Sequence, residues 1–395
     1  MKNTAIQFAE YVSPGHPDRL ADAVAERLVE FAQSLAAPGT ACRNLVGVEV
    51  AIHDSTVFID GRIALEDESP PIETIPLPRV PFDTIVQEVF AEAGYDTQWR
   101  PDPNSLEILV RVCEEELSLQ EADIRPFSDD QNIVIGYACD CAATNYLPPA
   151  HYLALTLGRR LNAVLRRDPE LAATFGPDFK ILCTCRTSQV GGSARFEWER
   201  LTLSAQHCRG AGLEEQHRLL TPIIGELLKT LEGEGLENVA RGFEPRRHLV
   251  LNGAGDFVIG GPRGDNGLSG KKLVVDHYGP GVPIGGGALC VKDPYKVDRC
   301  GALRARQLAR NLVRDTNAQE AKVTLSWSPG EDVPGMRLAE LVENGNSRIV
   351  AASSLPGPGW FSIRSIVDDL NLVRQNWAAV MRAGYFAERS HPWEA

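Results

Sequence analysis

Two kinds of hydrophobic periodicity follow one another along this chain, and they do not alternate one for one. Strand patterns occur at 46–52, 57–63 and 322–327, whereas 20–31 and 147–167 repeat apolar residues at helical spacing. A regular parallel sheet needs a helix after each strand, so the sequence does not favour a doubly wound fold. With 395 residues and no long linker or low-complexity tract, the sequence predicts an α+β fold of several sheet-and-helix layers.

The second half of the chain carries further local patterns. Two apolar runs that flank Asn-Gly-Ala-Gly-Asp at 252–256 predict a β-hairpin. Asp293 followed by Pro294 predicts a helix start, with the aspartate as its N-cap. Periodicity and glycine content predict four more elements, namely a strand at 271–276, a glycine-rich loop at 279–287, and helices at 336–343 and 363–381.

The chain is acidic overall, but its few lysines are concentrated in one place. Forty basic and 53 acidic side chains give a formal net charge of −13 and a pI near 5.2. This balance argues against a nucleic-acid partner. Of the eight lysines, four lie between Lys271 and Lys296, on both sides of the glycine-rich loop. Because such loops expose backbone N–H groups, this stretch is a candidate phosphate site, although it lacks the Walker-type motif.

Two aspartates at predicted helix starts are candidate magnesium ligands. Asp18 follows Gly-His-Pro at 15–17, and Asp298 lies two residues after Lys296. A carboxylate in the first turn also complements the helix dipole, which remains the alternative for both residues. If the two face each other across a polyphosphate, they would hold Mg²⁺ by one or two carboxylates together with phosphate oxygens.

Cysteine usage and hydropathy bear on the compartment. Nine cysteines, an odd number scattered through a long chain, fit a reduced setting better than a disulfide scaffold. The pairs at 139/141 and 183/185 are possible zinc half-sites, but on a strand this spacing simply places two thiols on one face. The sequence has no run of 18 apolar residues and no recognisable secretory signal. We therefore expect a cytoplasmic protein without a membrane partner.

Taken in order, the motifs of this chain resemble those of the methionine adenosyltransferases, also called S-adenosylmethionine synthetases. Two positions differ within these motifs: Arg19 stands where the family usually has lysine, and Lys271 stands where it usually has arginine. The matching segments are GHPD at 15–18, the family's DQG segment as Asp-Gln-Asn at 130–132, PDxK ending at Lys180, the glycine-rich blocks at 255–272 and 285–299, and the ending at 385–394. An ordered set that covers most of the chain is specific evidence.

The resemblance implies both a fold and a reaction. The fold is three α/β subdomains related by a pseudo-threefold axis, with active sites between two subunits of a dimer that is often doubled to a tetramer. The interleaved subdomains are expected at 1–13 with 141–260, at 14–113 with 261–300, and at 114–140 with 301–395. In the implied reaction the sulfur of L-methionine attacks C5′ of ATP, and the tripolyphosphate is then hydrolysed to pyrophosphate and phosphate. Two Mg²⁺ ions per site and K⁺ are the implied cofactors.

The same resemblance implies roles for individual residues. A highly charged leaving group needs preorganised cations more than a strong acid or base. The implied catalytic residues are His16, Lys180, Lys292 and Lys296. The implied ATP and triphosphate contacts are His16, Lys180, Phe257, Asp265, Lys271, Lys272, Ala288, Lys292 and Lys296. The implied magnesium ligands are Asp18 and Asp298, the potassium ligand is Glu49, and the amino-acid contacts are Asp130 and Asp265.

The departures from the family pattern concern the amino-acid side. Arg62 stands where the family has a glutamate that helps to bind the ammonium of methionine. An arginine there is expected to repel an ammonium unless it turns away and Asp265 suffices, or unless Asp60 substitutes from the same strand face. The nearby segment 114–123 is more acidic than is typical of the family. The leading hypothesis is a methionine adenosyltransferase, and the alternatives are a paralogue acting on a methionine analogue and a catalytically silent regulatory paralogue.

Overall fold

The computed structural model describes residues 5–35, 42–66, 80–190 and 192–395, with only the backbone at 189 and 190. Within these ranges the strands are β1 (Ala5–Val12), β2 (Leu45–His53), β3 (Thr56–Leu65), β4 (Glu107–Glu116), β5 (Asn132–Cys139), β6 (Phe175–Val190), β7 (Ser193–His207), β8 (Leu236–Glu237), β9 (Leu249–Leu251), β10 (Gly267–Leu268), β11 (Glu320–Trp327), β12 (Met336–Glu343) and β13 (Asn346–Ile349). The helices are α1 (Pro17–Ser34), α2 (Phe82–Ala93), α3 (Leu119–Ile124), α4 (Pro149–Arg167), α5 (Pro169–Thr174), α6 (Leu213–Gly233), α7 (Pro245–His248), α8 (Leu273–Asp276), α9 (Val297–Thr316), α10 (Ile363–Asp369) and α11 (Trp377–Ala383).

The strands form three sheets. The first has the order β1-β6-β7-β8, with β9 also paired to β7, the second β10-β2-β3-β4, and the third β13-β12-β11-β5. Neighbouring strands are antiparallel except in the pairs β3–β4, β7–β8 and β7–β9. A long helix packs on each sheet: α4 on the first, α1 on the second and α9 on the third, and α6 also contacts the first sheet at β8 and β9. Their apolar side chains form one large continuous core, so the predicted α+β class is confirmed.

The strands are distributed as the expected subdomain segments propose, although the boundaries themselves stay predictions. All strands of the first sheet fall within 1–13 and 141–260, and those of the third fall within 114–140 and 301–395. In the second sheet, β4 continues to Glu116, three residues beyond the proposed end at 113. Residues 1–4, 36–41 and 67–79 of these segments lie outside the described residues.

Local sequence accounts for the elements that carry the site. In β2 the even-numbered residues from 46 to 52 are buried and their neighbours are more exposed, as strand alternation requires. Helix α1 begins after His16, whose Nδ1 accepts a hydrogen bond from the N–H of Asp18, and Pro17 occupies the first helical position. Helix α2 ends at Gly94, whose φ of 104° is left-handed. The strand predicted at 46–52 and the helix predicted from periodicity at 20–31 are confirmed.

The prediction of a helix at 336–343 is wrong, because the segment is strand β12. Its apolar residues at 338, 341 and 342 have helical spacing, but Ala339 and Leu341 are the two buried positions. This alternate burial arises because β12 pairs with β11 on one side and β13 on the other. Tertiary pairing overrides the local pattern here.

Three predictions around the glycine-rich region are also wrong. The expected hairpin does not form, because β9 pairs in parallel with β7 and 257–259 is not a strand. The segment 271–276 contains the short helix α8 instead of a strand. Helix α9 begins at Val297 with Lys296 as N-cap, three residues later than predicted. The carboxylate of Asp293 caps the turn before the helix, where it accepts the N–H of Tyr295, and it also accepts the N–H of Val46.

Two general features complete the description. None of the helices in the described ranges combines the length and apolar character needed to cross a bilayer. All nine cysteines lie in those ranges as free thiols. Cys183 and Cys185 are buried on β6, and burial raises the pKa of Cys185 to about 12, so these thiols are part of the core.

Candidate active site

His16 presents a single hydrogen-bond donor at the N-terminus of α1. Because Nδ1 accepts a hydrogen bond from the N–H of Asp18 (3.1 Å), the neutral ring carries its proton on Nε2. Burial, together with the charges of Lys180 and Lys272, lowers the pKa of His16 to about 3. Among the described residues Nε2 has no hydrogen-bond partner, and it lies 3.8 Å from Oδ2 of Asp265. His16 is therefore a neutral donor whose N–H is available to a ligand.

His16 lines a cavity of about 410 Å³ between the first sheet and the segment 252–265. Lys180 of β6 lies in its wall, and Phe257 and Asp265 lie on the opposite segment. A cavity of this size with an aromatic ring and a few polar groups is of the kind that holds a small organic ligand. The structure thus brings His16, Lys180 and the segment that carries Phe257 and Asp265 together from three distant parts of the sequence.

Asp178 is a residue of this cavity that the sequence analysis missed. It is 3% exposed, its Oδ2 accepts the N–H of Gly261 (2.8 Å), and its Oδ1 has no partner among the described residues. Burial raises the pKa of Asp178 to about 6, although the charge of Lys180 opposes this rise. The PDxK motif contained the signal, since its aspartate stands two residues before the lysine.

A first cluster of charged residues surrounds Asp18. Its Oδ2 accepts a hydrogen bond from Nζ of Lys272 (2.5 Å), and Nζ of Lys271 lies 3.5 Å from its Oδ1. The backbone N–H of Leu268 also donates to Oδ1 (3.0 Å). Burial acts to raise the pKa of Asp18, but the hydrogen bonds from Lys272 and Leu268 hold it below its usual value. Asp18 is therefore ionised, and the two lysines balance its negative charge.

A second cluster lies at the start of α9. Nζ of Lys292 is 3.4 Å from Oδ2 of Asp298. Burial raises the pKa of Asp298, and the neighbouring charge of Asp130 adds to this, while Lys292 opposes it. Lys296 forms its ion pair with Asp129, the residue before the predicted Asp130. The structure thus places Asp130 near the expected magnesium ligand and reveals Asp129 as a further charged member.

Strand β2 connects the two clusters along one of its edges. Lys292 forms a backbone bridge with Gly47. Two residues further along the strand, Glu49 accepts a hydrogen bond from the hydroxyl of Ser269 (2.8 Å), just before the lysine pair at 271–272. Ala288 lies close to Gly270, since a Cβ built on Gly270 would be 3.5 Å from the Cβ of Ala288. The clusters are neighbours, yet among the described residues the cavity lined by His16 includes no member of the second cluster.

Arg62 is not a free cation, because two glutamates of the acidic segment 114–123 bind its guanidinium. Nε donates to Glu115 (2.9 Å) and Nη1 donates to Glu121 (2.6 Å). These hydrogen bonds raise the pKa of Arg62, and Arg62 with Ser118 lowers the pKa of Glu121 to about 2. Arg62 and the acidic segment, the two departures from the family pattern on the amino-acid side, are therefore joined in one set of ion pairs. Asp60 lies directly across from Glu49 in the strand register.

Replacing Arg62 with glutamine is expected to loosen the acidic segment, because Glu115 and Glu121 would lose their shared partner and repel each other. Hydrogen–deuterium exchange should show faster exchange of backbone amides at 114–124. Arg111→Gln on the same sheet face is the control, since the hydrogen bond described for Arg111 goes to the carbonyl of Val110. Equal exchange in both variants would contradict this role of Arg62.

Gly287 gives a direct test of the second cluster. A Cβ at this position would lie 2.0 Å from Oδ1 of Asp298, whereas a Cβ on Gly286 would come no closer than 3.6 Å to any atom. Gly287→Ala must therefore displace the carboxylate, at a cost of about 1–3 kcal/mol for forced repacking. We expect at least about a tenfold loss of magnesium-dependent polyphosphate binding in a calorimetric titration. Gly286→Ala should bind as the unmodified protein does, and a similar loss in both variants would contradict the assignment.

Comparison with known proteins identifies relatives of this chain. The family model "S-adenosylmethionine synthetase, C-terminal domain" matches residues 259–395. The S-adenosylmethionine synthase 1 of Rhodospirillum rubrum is 30% identical over 395 residues, covering 98% of this chain and 94% of that protein. The S-adenosylmethionine synthase of Paracoccus denitrificans is 32% identical over 330 residues, covering 82% and 78%. The solved structure of an unusual S-adenosylmethionine synthetase from Campylobacter jejuni superposes with a TM-score of 0.77 at 25% identity, covering 99% and 97% of the two chains. This chain belongs to the S-adenosylmethionine synthetase family.

Proposed function

We propose that this protein is a methionine adenosyltransferase that forms S-adenosylmethionine from ATP and L-methionine and then hydrolyses the tripolyphosphate. The observation that carries the proposal is the placement of the lysines. Five of only eight lie in the two clusters or the adjoining cavity, and each cluster holds a carboxylate at a helix start. Elsewhere arginine is the main cation, so lysine is concentrated where a compact charge would meet phosphate.

In this proposal the protein's own groups act mainly by electrostatics. The Nε2–H of His16 donates to the oxygen that gains charge as the C5′–O bond breaks. Lys180 lies in the same cavity, and the lysines at 271, 272, 292 and 296 receive the departing polyphosphate. Preorganised donors of this kind stabilise developing charge without reorganisation during the reaction. Phe257 would pack against the adenine, and Asp265 with Asp130 would bind the ammonium of the amino acid.

The carboxylates also fit the implied metal ions. Asp18 and Asp298 are hard oxygen donors, and each already attracts lysine ammonium groups. The space beside Asp298 exists because residue 287 is glycine. Magnesium would supply charge neutralisation of the polyphosphate when bound there. Glu49, with the hydroxyl of Ser269, offers oxygen ligands for K⁺.

We further propose that two copies of the chain complete each site. Within one chain the second cluster lies beside β2, and among the described residues none of its members lines the His16 cavity. In a dimer, the second cluster of one copy would complete the His16 cavity of the other copy. This is the reason to expect at least a homodimer, which sedimentation analysis of the purified protein would test.

The deciding experiment measures both halves of the reaction. The protein is incubated with ATP, Mg²⁺, K⁺ and a panel of methionine and its analogues, adenosyl products are identified by mass, and phosphate products are recorded separately. Formation of S-adenosylmethionine with pyrophosphate and phosphate supports the proposal. Product with an analogue but not with methionine would favour a paralogue of altered specificity, to which Arg62 points. If neither an adenosyl product nor tripolyphosphate cleavage is detected, the remaining hypothesis is a catalytically silent regulatory paralogue.

A further inference from the structure

The site lysines differ in the carboxylates that neutralise them. Lys271 and Lys272 are paired with Asp18, and Lys292 is paired with Asp298. Both of those aspartates are proposed magnesium ligands, so metal binding would draw them away from their lysines. Lys296 is the exception, because its partner is Asp129, which has no proposed metal role. Magnesium alone would therefore leave Lys296 neutralised.

The ion pair of Asp129 and Lys296 rests on a fixed backbone. The preceding Ser128 is 3% exposed, its N–H donates to the carbonyl of Glu331 (2.8 Å), and its carbonyl accepts the N–H of Gly330 (2.8 Å). The hydroxyl of Ser128 donates to the carbonyl of Asp130 (2.7 Å). These contacts fix the backbone on both sides of Asp129, and its carboxylate pairs with Lys296 from that position.

The partners of the neighbouring residues hold the two elements together. Arg125 is buried and forms an ion pair with Asp293, which fixes the segment before Asp129 against the start of α9. The hydrogen bond from Lys296, with the charge of Arg125, keeps the pKa of Asp129 below its usual value despite its partial burial. Asp129 is thus an ionised competitor, positioned beside the ammonium of Lys296.

We propose that Asp129 is a specificity-determining residue that competes with the anionic group of a ligand for Lys296. This inference rests on the proposed function and deepens it. A ligand that places an anionic oxygen at Lys296 must displace Asp129, whereas a ligand that is neutral there avoids this cost. Two sources have this chemistry: the carboxylate of an amino acid whose ammonium lies at Asp130, and a terminal phosphate of the polyphosphate. If the anion is the carboxylate of the amino acid, a thioether acceptor whose carboxyl group is masked avoids this competition.

The test measures binding of methionine, methioninamide and diimidotriphosphate, a non-hydrolysable analogue of tripolyphosphate, by calorimetry, with Mg²⁺ present. Asp129→Asn should tighten binding of methionine or of diimidotriphosphate by about three- to fivefold, the range expected for removing one partly exposed competing ion pair. The ligand that gains identifies the source of the anion. Methioninamide should be unchanged. Asp123→Asn, which removes an 83% exposed carboxylate six residues before Asp129, is the matched control and should alter none of the three.

A second background separates competition for Lys296 from a general effect of charge. In a Lys296→Met protein, Asp129→Asn should give no gain for any ligand. The inference is overturned if Asp129→Asn leaves both anionic ligands unchanged or weakens them, if methioninamide gains equally, or if the gain persists without Lys296. Binding is measured without turnover, so a protein that forms no adenosyl product would contradict the proposed function and still report on Asp129.

Discussion

Replacing Lys292 with methionine is expected to lower kcat for adenosyl transfer by about two to three orders of magnitude, the usual effect of removing one preorganised charge from a developing anion. Lys292 lies beside Asp298 at the start of α9, where its charge also opposes the burial that raises the pKa of that carboxyl. Its loss would remove a cation from the polyphosphate side and favour the protonated form of Asp298. The measurement is single-turnover formation of S-adenosylmethionine at saturating ATP and methionine.

The control uses a lysine outside both clusters. Lys229 lies on α6, is exposed, and pairs with Glu226 one helical turn earlier. Lys229→Met makes the same chemical change and should keep the turnover of the unmodified protein. Circular dichroism and a melting curve for both variants exclude unfolding as the cause. Near-normal single turnover by Lys292→Met would contradict the role assigned to this residue, even if its steady-state rate were lowered.

The parts of the site that the sequence predicts are those built from local motifs. Asp18 and Asp298 each lie within the first turn of a helix, and His16 is the N-cap of α1. Strand and helix periodicity is equally local, which explains why β2, β3 and α1 agree with expectation. The resemblance to a family added the order of the motifs, and with it the relation between distant lysines.

The parts that the sequence does not predict depend on partners far away in the chain. Arg62 meets Glu115 because β3 and β4 are parallel neighbours, a register that no local pattern specifies. Asp129 meets Lys296 across 167 residues, while the carbonyl of the next residue, Asp130, accepts a hydrogen bond from the hydroxyl of Ser128. The sequence alone does not show which of the two adjacent aspartates, Asp129 or Asp130, faces Lys296.

Replacing Asp178 with asparagine is expected to remove the acid limb of the pH profile of kcat/KM for ATP. The pKa of Asp178 is raised to about 6, so below this pH its carboxyl is protonated, and above it the free Oδ1 is an anionic acceptor facing the cavity. A ligand that donates a hydrogen bond to Oδ1 should bind progressively less well as the pH falls, by about tenfold per unit below 6. His16 does not contribute in this range, because its pKa is near 3.

The thermal stability of the same variant gives an independent check that the pKa of Asp178 is raised in the folded chain. A carboxyl whose pKa is higher in the folded chain than in the unfolded chain binds its proton more tightly when folded, so its contribution to stability is full at pH below 3.8 and is lost as the pH rises through 6. Asparagine carries no charge at any pH. The melting temperature of Asp178→Asn relative to the unmodified protein should therefore rise between pH 4 and pH 8. A pH profile that keeps its acid limb, together with a melting difference that does not change with pH, would show that the carboxyl of Asp178 titrates near its ordinary value and that another group governs ATP binding.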